Sequence, residues 1–172
     1  MKKAISGAIF IFAAFLLQST LFSQFHIGQT VPNLLVIVVA TLGFLNGKKS
    51  GLIAGFFAGL LLDLFFGTIY GMNAIIYMYI GYTNGYFKKI IFPEDIKLPL
   101  IMIIGSDLAY NLIFYLFAFM FRGKFQVIYY LIHVIIPEAV YTAVLACFLY
   151  PLIHSLFKKI DAHEKKGEQT IV

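Results

Sequence analysis

The segment GLIAGFFAGLLLDLFFGTIYG, residues 51–71, decides how this chain is read. Gly51, Gly55, Gly59, Asp63 and Gly67 recur every fourth position, with Gly47 one step before and Gly71 one step after. Four residues advance about 400° on a helix of 3.6 residues per turn, so the ladder drifts slowly around one side and leaves a groove without side-chain bulk. In lipid, helices gain little from hydrophobic association, and close backbone approach over glycine becomes a main attraction. Two occupants suit such a groove: another helix of the same bundle, or a helix of a partner subunit. Gly51, Gly55, Gly59, Asp63 and Gly67 form the candidate partner-binding set.

The surroundings are those of a membrane protein. Of 172 residues, 61% are hydrophobic and only 12% charged, against about 25% charged in ordinary soluble domains, and mean hydropathy is +0.90. Apolar runs are expected to cross the bilayer at residues 4–22, 32–44, 51–66, 72–87, 98–121 and 130–157, the last containing Pro137 and ending near Pro151. The basic start followed by an apolar run also suits a signal peptide, but no clear small-x-small site follows, which favours an uncleaved anchor. The fold class is therefore all-α, a compact polytopic bundle of about six transmembrane helices, with residues 1–157 as one domain and 158–172 as a charged cytoplasmic tail.

Charge placement orients the bundle, because Lys and Arg are retained in cytoplasmic segments. With both termini cytoplasmic, eleven of the 13 basic residues are inside, from Lys2 and Lys3 through Lys48, Lys49, Lys88, Lys89 and Lys97 to the tail. Only Arg122 and Lys124 are outside. This asymmetry accounts for the net charge of +5 without an anionic ligand and argues against nucleic-acid binding. The outer loops, at 24–30, 67–71 and 122–126, are short, and the inner loop 88–97 is the most polar internal one. The single cysteine, Cys147, excludes an internal disulfide and any multi-cysteine metal site; it reads as a small core filler.

Three acids fall within the spans. A carboxylate in hydrocarbon costs on the order of 3 kcal/mol on insertion scales, so each needs relief. Asp63 sits near the outer end of its span, where it can cap the helix that begins around residues 71–73 or meet a partner. Asp107, with Asn111 four residues on, and Glu138, with Tyr141 and Thr142 following, are expected to face the bundle interior as buried polar residues of uncertain role. Pro137 frees the carbonyl of His133, which predicts a kink beside Glu138.

Catalysis finds little support. Asp107 lies in GSD rather than the GxGD of presenilin-like proteases, no GxSG suggests a rhomboid-like serine, and His26, His133, His154 and His163 form no HExxH. No metal site or cofactor is expected, and no internal repeat suggests a secondary transporter.

Pro32 and Asn33 opening an apolar run, the ladder of residues 51–71, and GYTNG at 81–85 together resemble the MreD family of bacterial rod shape-determining membrane proteins. The likeness runs along the whole chain, with its specific residues between Pro32 and Gly85. It implies a non-enzymatic scaffold of the cell-elongation machinery in the bacterial cytoplasmic membrane. The implied partners are MreC directly, and MreB, RodA and its penicillin-binding transpeptidase as members of the complex. The family is also similar in fold to the substrate-binding S components of energy-coupling-factor vitamin transporters, which supplies the alternative function.

Overall fold

The computed structural model describes residues 2–20, 30–67, 69–89, 96–122 and 127–169. Among them the backbone is helical apart from short connections. The helices are α1 (Lys2–Thr20), α2 (Leu34–Asn46), α3 (Lys48–Phe66), α4 (Met72–Tyr86), α5 (Lys97–Arg122), α6 (Val127–Tyr130) and α7 (Ile136–Gln169). A 3₁₀ turn, Phe87–Lys89, follows α4, and a π-helical turn, Leu131–Ile135, joins α6 to α7.

Among the described residues, four segments are long and apolar enough to cross a membrane: Lys3–Thr20, Lys48–Phe66, Lys97–Phe117 and Ile128–Ile160. The other two predicted spans are shorter. The 13 residues of α2 reach about 20 Å at 1.5 Å per residue, against about 30 Å of hydrocarbon. A helix that is apolar all round belongs inside a bundle, and α2 is such a helix: every residue from Leu34 to Phe44 is buried. It touches α1, α3, α4, α5 and α7 and forms the axis around which they assemble.

A helix end buried this deeply must pair its free N–H groups internally, and α2 does. Leu34 N donates to the Pro32 carbonyl and Ile37 N to that of Asn33. Leu35 N donates to Gln18 Oε1 of α1 at 3.2 Å, and Val36 N to Asn33 Oδ1 at 3.3 Å. At the other end a single residue, Gly47, turns the chain into α3. Its φ of +93° suits glycine, and its N–H donates to the Gly43 carbonyl at 2.8 Å.

Polarity is distributed inside out. Buried polar residues include Asn33, Asp63, Asn73, Asn84, Asp107 and Thr142, while Ile9, Phe65, Tyr70, Ile101 and Phe148 are exposed. An apolar exterior, with the polar side chains held inside a mainly apolar core, is what lipid selects, because only the interior offers hydrogen-bond partners.

Several expectations need correction. Pro151 does not end the last helix; it lies inside α7, which continues to Gln169. Cys147 is exposed rather than packed in the core. The relief around Pro137 takes the form of a widened turn, with Ile136 N donating to the Leu131 carbonyl five residues back. The predicted loops at 24–30, 88–97 and 122–126, with Lys124, fall wholly or partly outside the described residues.

Glycine content alone does not predict tolerance. A Cβ on Gly55 would meet backbone atoms of Tyr77 and Met78, whereas one on Gly105, in α5, would meet nothing within 4 Å. Gly55→Ala should therefore lower the melting temperature of the purified protein by the equivalent of about 1–3 kcal/mol. Gly105→Ala should leave it unchanged or raise it by up to about 1 kcal/mol. Equal effects of the two in a thermal melt would contradict this packing.

Candidate functional site

The seam between α3 and α4 is glycine on glycine. A Cβ on Gly51 would collide with the Gly81 carbonyl, and one on Gly81 with the Gly51 carbonyl. Further along, a Cβ on Gly55 would strike the Tyr77 carbonyl, and one on Gly59 the Asn73 carbonyl and Ala74 Cα. At the base of the seam, Gly85 has the backbone of Lys48 against it, so GYTNG supplies the facing half of the ladder. Lys48 closes this end with its Nζ 3.8 Å from the Tyr86 ring centroid, a cation–π contact between the first turn of α3 and the last turn of α4.

The groove read from the sequence is thus filled by α4 of the same chain. No room is left at Gly51, Gly55 or Gly59 for a partner's helix. Gly67 lies beyond the seam. It ends α3, donating its N–H to the Asp63 carbonyl at 3.2 Å.

Asp63 completes the seam chemically. The first turn of α4 needs acceptors for its free N–H groups, but its N-cap, Gly71, has a φ of +91° and no side chain to offer. Asp63 supplies them from the neighbouring helix. Its Oδ1 accepts from Asn73 N at 3.1 Å and from Asn73 Nδ2 at 2.9 Å, and its Oδ2 accepts from Ala74 N at 2.9 Å. These are the second and third residues of α4, the donors an ordinary N-cap side chain serves. The carboxylate also meets the partial positive end of the helix, which relieves the cost of burying it at 1% exposure.

From Asp63 polar contacts run across the core. Asn73 Oδ1 accepts from the Tyr110 hydroxyl of α5 at 2.9 Å. The Tyr110 ring stands edge-on to that of Tyr77, with centroids 5.1 Å apart. The Tyr77 hydroxyl donates to Asn33 Oδ1 at 2.5 Å, and Asn33 N donates to Thr142 Oγ1 of α7 at 3.0 Å. Nearer the other end, Asn84 Nδ2 donates to Ser106 Oγ at 2.7 Å, tying α4 to α5 again. Five helices are cross-linked by side chains that are polar only at their tips.

Asp107 departs from this pattern. It is fully buried, yet neither carboxylate oxygen has a hydrogen-bond partner among the described residues. The side chains of Asn33 and Thr142 lie beside it, outside hydrogen-bond geometry. Asn111 takes the helical spacing read from the sequence, but its Nδ2 donates to the Asp107 backbone carbonyl at 3.1 Å, not to the carboxylate. Glu138 is half-buried, with Asn111 and Asp107 within electrostatic reach. Asp107, Asn111 and Glu138 therefore gather between α5 and α7, apart from the Asp63 cap.

Sequence reading missed Asn33, Asn73, Tyr77 and Asn84 as connected structural residues, and grouped Thr142 with Glu138 without its bond to Asn33. The available signal was the cost of a polar side chain in an apolar span, which applies to asparagine as it does to aspartate.

The two buried aspartates should respond oppositely to mutation. Asp63→Ala strands three donors and should cost about 2–5 kcal/mol of stability, with Asp63→Asn intermediate. Asp107→Asn removes an unpartnered carboxylate and should leave the melting temperature unchanged or higher. Comparable losses for Asp107→Asn and Asp63→Ala in detergent melts would show that Asp107 has a stabilising partner.

A family model described as rod shape-determining protein MreD matches residues 2–160. Neither a curated protein nor a solved structure matches the chain. The match spans all the described helices except the last residues of α7, and so includes the glycine seam, the Asp63 cap and the cross-core contacts. The chain belongs to the MreD family of rod shape-determining membrane proteins.

Proposed function

We propose that this protein is a non-enzymatic scaffold of the cell-elongation complex, crossing the bacterial cytoplasmic membrane six times. In this reading it binds MreC directly and helps to couple MreB filaments to peptidoglycan synthesis by RodA and its penicillin-binding transpeptidase. Family membership supports the rod-shape role. The observation that favours a scaffold is the use of polar side chains: Asp63, Asn73, Tyr77, Tyr110, Asn33 and Thr142 spend their hydrogen bonds on one another. What the bundle presents outward is an apolar surface, on α3 including Ile53, Phe56, Phe57, Leu64 and Phe65.

The partner-binding role of the ladder is accordingly indirect. Gly51, Gly55, Gly59 and Asp63 fix the spacing and angle of α3 and α4, Gly67 ends α3, and the partner reads the face that results. Phe10 of α1 lies 5.9 Å, ring to ring, from Phe157 of α7. In this reading both termini share the cytoplasmic side, as the lysine distribution favours.

Capture of tagged MreC from membranes tests this reading. Asp63→Ala should reduce co-purification and rod shape together, in proportion to the loss of folded protein. Phe56→Ala, on an exposed position of α3, should reduce MreC capture about tenfold while the melting temperature stays within about 1 kcal/mol of wild type. Full MreC capture by every alanine substitution along the outer face of α3 would refute the assignment of that face.

A further inference from the structure

An open groove runs between α1 and α3, with a volume of about 710 Å³. Its floor is Leu42 of α2, and its walls are Gly7 and Ala8 on one side and Ile53 and Phe57 on the other. Lys3, Asn46 and Ser50 stand at one end, where α1 and α3 both begin. The far end is closed by aromatic contact, with the Phe15 ring 5.2 Å from Phe65 and 6.1 Å from Phe66.

These limits select the occupant. Along α1, Lys3 to Phe12 spans about 14 Å, and along α3, Ser50 to Leu64 spans about 21 Å. A crossing helix needs about 30 Å of hydrocarbon depth and would run into the Phe15–Phe65 closure. One leaflet is about 15 Å deep, so an acyl chain entering from the lysine end fits the length. The polar groups stand where a headgroup would be, and cationic groups are among them: Lys3 lines the mouth, Lys49 is exposed in the first turn of α3, and the N-terminal dipoles of two helices add to them.

We propose that this groove is a binding site for one anionic glycerophospholipid of the leaflet facing Lys3, with an acyl chain between α1 and α3 and the phosphate at Lys3, Asn46 and Ser50. The membrane orientation given under Proposed function makes that leaflet the cytoplasmic one; occupancy of the groove does not depend on it.

The full chain, reconstituted in nanodiscs of mixed phosphatidylglycerol and phosphatidylethanolamine and released for native mass spectrometry, should retain one phosphatidylglycerol. Ala8→Trp places bulk in the groove from an exposed position and should cut retention at least fivefold without lowering the melting temperature. Lys3→Gln should lower the preference for phosphatidylglycerol over phosphatidylethanolamine about fivefold, and Lys3→Arg should restore it. Unaltered retention in Ala8→Trp would overturn the site. So would retention without headgroup preference, or photocrosslinking from Phe57 in cells that yields a transmembrane protein and no lipid. Because retention is read on the isolated chain, failure to capture MreC leaves this result standing. Cysteine labelling of position 3 from the outer side would reverse the leaflet alone.

Discussion

Three N–H groups converge on the Asp63 carboxylate, and the arrangement of α3 against α4 follows from that meeting. A helix start in an apolar environment needs acceptors, and a buried carboxylate needs donors. Each requirement answers the other only if α4 begins beside the end of α3. The glycine faces then set the distance, since Gly51, Gly55 and Gly59 let the backbone of α4 come within reach. Seam and cap are mutually dependent: without the close approach the carboxylate has no donors, and without the cap the approach brings a bare helix end into the core.

The remaining contacts extend this unit. Asn73, held at Asp63, orients its carbonyl to Tyr110, and Tyr77 reaches Asn33 at the head of α2. Asn33 then serves three neighbours at once, capping α2 through Val36, accepting from Tyr77 and donating to Thr142. Such junction residues fix register in a medium where apolar side chains find lipid nearly as favourable as one another.

The sequence disclosed the glycine seam, the capping option for Asp63 and the inward placement of Asp107, because spacing and desolvation cost are local properties. It did not disclose which helix fills the groove, although GYTNG at 81–85 carries the complementary glycines, since pairing is decided between segments. The burial of α2 was not legible, because a short apolar run reads the same whether it meets lipid or is enclosed on every side. Proline misled at Pro151, where the helix simply continues. The apolar groove between α1 and α3 had no signature at all, because Gly7 and Ala8 look like ordinary small residues until α3 is set opposite them.

Enclosure of α2 has a bearing on how the chain enters the bilayer. A stretch this brief offers the insertion machinery little to recognise, and its two ends would hang unsatisfied in oil were it to arrive unaccompanied. The one-residue turn at Gly47 binds its fate to the longer helix that follows, so the pair is suited to partition as a hairpin and to be walled in as later segments emerge. The most oily part of the molecule is thus the part that meets the least lipid once assembly is finished.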